Sequence, residues 1–234
     1  MIELFRRAAG LSASLIMVSA HALEEPVIYG LNVEQLEWRS ADSGAGLIKW
    51  NGEFLVGSDE RKWVLRNKAE LEIDESVFES FETYGLLRFP MTRFYDVAVG
   101  LRVDTPEDLE RLYGVIGVTG TGPYFVETGA QLSVSEYSSA RLEFEYEAPF
   151  LFDSTLVPSV ELDIPLNDDP ETGVGAWGAS VEIGVRAAFS LAYGWSAHAG
   201  VHYETVTGAT RDIAKTNGEN ADALRFVAGV AFLF

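Results

Sequence analysis

Two histidines, His198 and His202, stand four residues apart in SAHAGVHYE, within reach of the carboxylates Glu182 and Glu204 on period-two segments. Imidazole and carboxylate are metal ligands, and this set is the candidate metal site of the chain. In extended backbone the two rings lie about 13 Å apart along one strand, so they cannot grip one ion together. Each would need a carboxylate from a neighbouring strand. The alternative is that both are ordinary polar residues of a hydrated face.

A second set is larger. In ARLEFEYE the residues Arg141, Glu143, Glu145 and Glu147 alternate with Ala140, Leu142, Phe144 and Tyr146, and the pattern restarts with Glu161 and Asp163 against Val160, Leu162 and Ile164. Carboxylates two apart on a strand are about 7 Å from each other. At an effective dielectric near 20 each pair repels by roughly 2 kcal/mol. Either the chain's own Arg66, Lys68, Arg102, Arg141, Arg186 and Arg225 offset that repulsion, or mobile cations do. Glu70, Glu72, Asp96, Glu82 and Glu127 fall on the same kind of face, where acids outnumber bases, and this favours a cation-attracting surface. Ser196, His198 and Glu204 share a face as a hydrolase triad would, but no nucleophile motif accompanies them, and the chain reads as a non-enzyme. Asp168, Asp169 and Glu171 lack the full calcium-loop spacing and read as a solvated loop.

These residues need strands to position them. Period-two segments recur through the chain with turn signals between, twelve in all, and no helix longer than a turn or two is required. The first, Val27 to Ser40, changes phase between Val33 and Leu36, as a β-bulge would make it do. Val77 to Phe89 is ambiguous, with aromatics on both faces. Strand seven is expected from Tyr124, strand ten from Trp177 and strand eleven from Tyr193, with a long polar loop from Thr207 to Asp222 before the last strand.

Alternation alone suits a soluble sandwich or a membrane barrel. Arg6 and Arg7 followed by the apolar run Ala8 to Ala20 and the small-x-small Ala20-His21-Ala22 read as a secretory signal peptide over residues 1–22, leaving 23–234 as the barrel. The apolar run is too short to span a bilayer as a helix. Many of the strands reach bilayer-crossing length. Trp63, Tyr124, Phe150, Trp177, Tyr193, Trp195 and Tyr203 fall near strand ends, where interfacial girdles sit. Short turns near Pro90, Pro123, Asp153 and Leu191 share one side, and most longer loops share the other. The expected fold is therefore all-β: a closed antiparallel up-and-down transmembrane β-barrel of about 12 strands, in contact with outer-membrane lipid. With a net charge of −19 and no cysteine, the chain is no partner for nucleic acid and is not held by disulfides.

Six runs in order, QLEWR from Gln35, GLRVD from Gly100, PYFVE from Pro123, ARLEFEYE from Ala140, ELDIPLNDDPETGVG from Glu161 and the closing RFVAGVAFLF from Arg225, resemble the copper resistance protein B family. The resemblance implies a bacterial outer-membrane barrel of copper homeostasis that binds copper ions or passes them through an acidic lumen, with periplasmic copper-handling proteins as candidate partners. A general cation-selective porin is the alternative. Many family members carry a Met- and His-rich segment before the barrel. Here Met91 is the one methionine beyond the expected leader, so a sulfur-rich store for Cu(I) is not expected, whereas imidazole with carboxylate suits Cu(II).

Overall fold

The computed structural model describes residues 26–40, 46–105, 110–137, 139–148 and 156–234. The expected leader, Phe150 and Asp153 lie outside them. Twelve strands follow one another: β1 (Ile28–Arg39), β2 (Leu47–Gly57), β3 (Lys62–Glu72), β4 (Val77–Pro90), β5 (Tyr95–Asp104) and β6 (Arg111–Thr121) form the first half. β7 (Glu127–Ser135), β8 (Ala140–Glu147), β9 (Leu156–Pro165), β10 (Ser180–Ser190), β11 (Trp195–Val206) and β12 (Asp222–Leu233) form the second. Each pairs antiparallel with its sequence neighbours, and β1 pairs with β12, closing the sheet into a cylinder with no free edge. Closure satisfies every strand's ladder internally, which a backbone in hydrocarbon requires.

The period-two pattern places the faces. Leu65, Leu101, Ile116, Phe144, Ile183 and Phe226 are exposed on the outside, while Arg102, Glu37, Arg39 and His202 are buried within. The apolar side thus meets lipid and the ionised side lines the lumen. Exposed aromatics gather at both ends: Tyr29, Trp63, Tyr124, Tyr193 and Trp195 at the end holding the short turns and both strand termini, Trp38, Trp177 and Tyr203 at the other. Asn67 is a polar exception on the outer face. It accepts from Trp50 Nε1 at 2.6 Å and donates to the Glu82 carbonyl and Thr83 Oγ1, so its amide is satisfied without water.

Two bulges explain two irregular patterns. Register shifts between Val33 and Gln35 in β1, at the expected place, so that the successive residues Glu34 and Gln35 both turn to the lumen, where Asn51 donates to Glu34. A second shift, between Glu70 and Leu71 against β4, lets Phe78 and Phe81 share the outer face, where both pack edge-on against Trp50. Tyr84, by contrast, faces inward. With Val64, Leu86, Ala98, Tyr113 and Val115 it makes an apolar cluster inside the wall of β3 to β6, which settles the strand whose aromatics fall on both faces.

Strand starts differ from the expectation at three aromatics. Tyr124, Trp177 and Tyr193 have φ of 63°, 62° and 59°, and each sits in a turn, so β7, β10 and β11 begin two or three residues later. A backbone in the left-handed region leaves the β conformation, whatever the side chain's strand preference. The expected polar loop from Thr207 to Asp222 is also corrected: it holds a ten-residue helix, α1 (Gly208–Asn217), ended by Gly218 at φ 80°. Thr210 and Ala214, four apart, form its buried face.

Candidate functional site

A cavity of about 730 Å³ opens at the end of the barrel that carries the long loops. Twelve acidic side chains and three basic ones line it, among them Glu70, Glu72, Glu143, Glu145, Glu161, Asp163, Glu182 and Glu204, with Lys49, Lys68 and Arg225 opposing. This vestibule is strongly anionic, and its low-dielectric wall focuses the field toward the axis. Asp96 and Glu147 lie deeper, toward the short turns, where Asp96 is 3.3 Å from Lys62 Nζ and Glu147 is 3.8 Å from Arg186 Nη1.

The vestibule wall and the lumen beneath it are laced by ion pairs. Lys49 Nζ is 3.2 Å from Glu161, 3.2 Å from Glu182 and 3.3 Å from Glu70, and Lys68 bonds Glu145. Arg102 is wholly buried. It lies 2.5 Å from Glu143 and 2.9 Å from Asp104, and its guanidinium stacks 4.2 Å over the Tyr113 ring. Arg141 meets Asp163 at 3.1 Å, and Arg88 grips Glu53 with two bonds of 2.9 and 2.7 Å. The carboxylate ladder is therefore offset largely by the chain's own cations, with an acidic surplus left in the vestibule.

The histidines belong to a connected chain of charge. His202 Nδ1 bonds Glu182, as a cross-strand carboxylate partner, while His198 Nε2 lies 3.0 Å from Glu37, a residue of β1 outside the expected set. Glu37 also receives Arg39 Nε and Arg186 Nε, each at 2.8 Å. Arg39 continues to Glu182 at 2.7 Å and to Glu204 at 2.8 Å, and Arg225 reaches Glu204 at 2.7 Å. Glu37 and Arg39 were visible only as part of QLEWR. Their inward alternation with Leu36 and Trp38 after the bulge was the available signal.

Glycines on neighbouring strands seat both rings. Gly184 is the register partner of His202 and Gly229 that of His198; a Cβ added at either would fall 2.5 and 2.8 Å from the respective Nε2. His202 Nε2 has no hydrogen-bond partner among the described residues and is pressed against the wall. No three His, Cys, Asp or Glu side chains gather as a metal site among the described residues. With one imidazole nitrogen facing backbone and the carboxylates occupied by guanidinium groups, this donor set does not fit a resident copper ion.

The loop acids have structural work. Asp169 is buried and bonds Arg111 through both oxygens, Glu171 meets Arg111 at 2.7 Å, and Asp168 accepts from the Ala176 N–H at 2.8 Å. Burial pushes the Asp169 carboxyl up, but bonds from Arg111 and Ser139 outweigh it and hold it below the usual carboxylate range. Residues 166–179 are thereby strapped to β6.

A closed barrel of this kind, apolar outside, ionised within and girdled by aromatics, is a transmembrane β-barrel. Among solved structures, one described as "NanC porin structure in rhombohedral crystal form" matches 86% of this chain and 98% of its own with a TM-score of 0.53 at 11% identity. Another, from "Unveiling the Mechanism Behind the in-meso Crystallization of Membrane Proteins", matches 88% and 83% with a TM-score of 0.56 at 13% identity. At those identities the likeness is one of fold.

The family model "Copper resistance protein B precursor" matches residues 27–234, and the chain belongs to that family. Similar proteins include the Copper resistance protein B homolog of Pseudomonas syringae pv. tomato, 26% identical over 92% of this chain and 74% of that protein. Copper resistance protein B of Escherichia coli is 27% identical over 93% and 73%.

Proposed function

We propose that this protein resides in the bacterial outer membrane after removal of its leader, and that it handles copper there as passing cargo. The barrel draws cations into the acidic vestibule and offers them a path along the lumen, without catalysing a reaction. The observation that carries this reading is the acidic surplus of the vestibule, set in a chain of the copper resistance family. Carboxylate oxygens arranged around an open, hydrated volume attract a cation without stripping its water, which suits transit better than storage. The histidines, engaged with Glu37 and Glu182, keep the wall in shape.

Deletion of the protein should sensitise cells to copper and leave zinc and cobalt tolerance unchanged. Equal sensitivity to all three would make it a general cation-selective porin instead.

A further inference from the structure

Most of the lumen's ion pairs follow the wall. Arg88 of β4 reaches Glu53 of β2, two strands away, and Arg102 of β5 reaches Glu143 of β8, three away; Arg39 of β1 and Glu182 of β10 are also three apart. Two lysines behave differently. Lys49 of β2 meets Glu161 of β9, and Lys68 of β3 meets Glu145 of β8, in both cases five places apart in a ring of twelve, one short of diametrically opposite. These two pairs are bars across the bore.

The chemistry differs as well as the direction. The wall is clamped by arginines making paired bonds, such as Arg88 to both oxygens of Glu53 and Arg39 to both oxygens of Glu182. An ammonium is a point charge on a flexible stem, without the planar fork that makes a guanidinium bond in pairs. Lys49 spreads its charge over three carboxylates at 3.2 to 3.3 Å, and both lysines face the acidic vestibule. Its Nζ holds the position a dehydrated cation would take among Glu70, Glu161 and Glu182.

We propose that Lys49 and Lys68 are tethered cations that close the lumen, and that a cation arriving from the vestibule passes by displacing them from Glu161, Glu182 and Glu145. The arginine-clamped wall keeps its shape while the bars swing aside. A divalent ion competes better than a monovalent one, because it brings two charges to carboxylates that each lysine holds with one. This inference rests on the cation-conducting reading above and adds the residues that gate it.

The test is planar-bilayer recording on the full chain in KCl, with folding verified by heat-modifiable electrophoretic mobility. The Lys49→Gln, Lys68→Gln pair should raise single-channel conductance several-fold and move the reversal potential toward that of K⁺, whereas Lys49→Arg, Lys68→Arg should conduct no more than wild type. Wild-type conductance in the glutamine pair overturns the proposal, as does an arginine pair that opens equally. Should the glutamine pair not fold, Glu145→Gln, Glu161→Gln removes the carboxylate that each lysine meets five strands away and leaves Lys49 held by Glu70 and Glu182. Conductance should again rise, with the reversal potential moving toward that of Cl⁻, and unchanged conductance overturns the proposal. A deletion strain with normal copper tolerance would instead sink the copper reading while leaving the bilayer result intact.

Discussion

Glu37 is 1% exposed and receives Arg39, Arg186 and His198. Removing a carboxylate so placed leaves two guanidinium groups facing each other in the wall without their shared anion. Glu37→Ala should therefore cost about 3–5 kcal/mol, the range for breaking one side of a buried ion pair, read as a lower urea midpoint of the reconstituted barrel. The histidines lead to a different expectation. Because His202 Nε2 lies against Gly184 and His198 is held by Glu37, the His198→Ala, His202→Ala double variant should titrate copper with wild-type affinity. A loss of affinity would return the two rings to the ligand set. The inward face of each candidate residue was legible from its parity alone. Which carboxylate each histidine meets was not, because Glu37 and His198 stand 161 positions apart in the chain and come together only when β1 pairs with β12.

At the scale of elements, the bulge in β1 could be read from the phase slip between Val33 and Leu36, since an extra residue is the only way to turn two successive apolar runs to the same side. Helix α1 could not. It is short, polar and buries just Thr210 and Ala214, and its stability comes from docking on residues 166–179, a contact absent from any local pattern. Thr210 Oγ1 donates to the Gly178 carbonyl at 2.7 Å and accepts from the Gly175 N–H at 3.1 Å. Thr210→Val should loosen that contact by roughly 1–3 kcal/mol, seen as faster proteolysis within residues 166–179 while the barrel stays intact. The Arg111 strap adds a pH dependence. The folded pKa of Asp169 is lowered, so its contribution is fully present above the ordinary carboxylate value and is lost as pH falls through the depressed one. Protease protection of the loop should therefore hold at neutral pH and fail in acid, and Asp169→Asn should abolish protection at both.

For the whole molecule, the balance between the ladder of carboxylates and the cations that face it decides selectivity. Replacing Glu143, Glu145 and Glu161 together by glutamine removes one carboxylate partner each from Arg102, Lys68 and Lys49 and leaves the lumen three negative charges poorer. Cation selectivity in a planar bilayer should fall, and an unchanged reversal potential would mean that ions do not use this lumen. Alternation and strand length by themselves determined that this chain makes twelve ribbons with a greasy and an ionised side, because side-chain direction in a strand depends only on residue parity. They also determined which residues face inward, apart from the bulge at Glu34 and the apolar cluster around Tyr84. Only the closed structure decided how those charges are paired. Partners such as Lys49 and Glu161 lie on nearly opposite walls, and their distance is set by the curvature of the ring and the stagger of its strands, quantities to which no single segment contributes a readable signal.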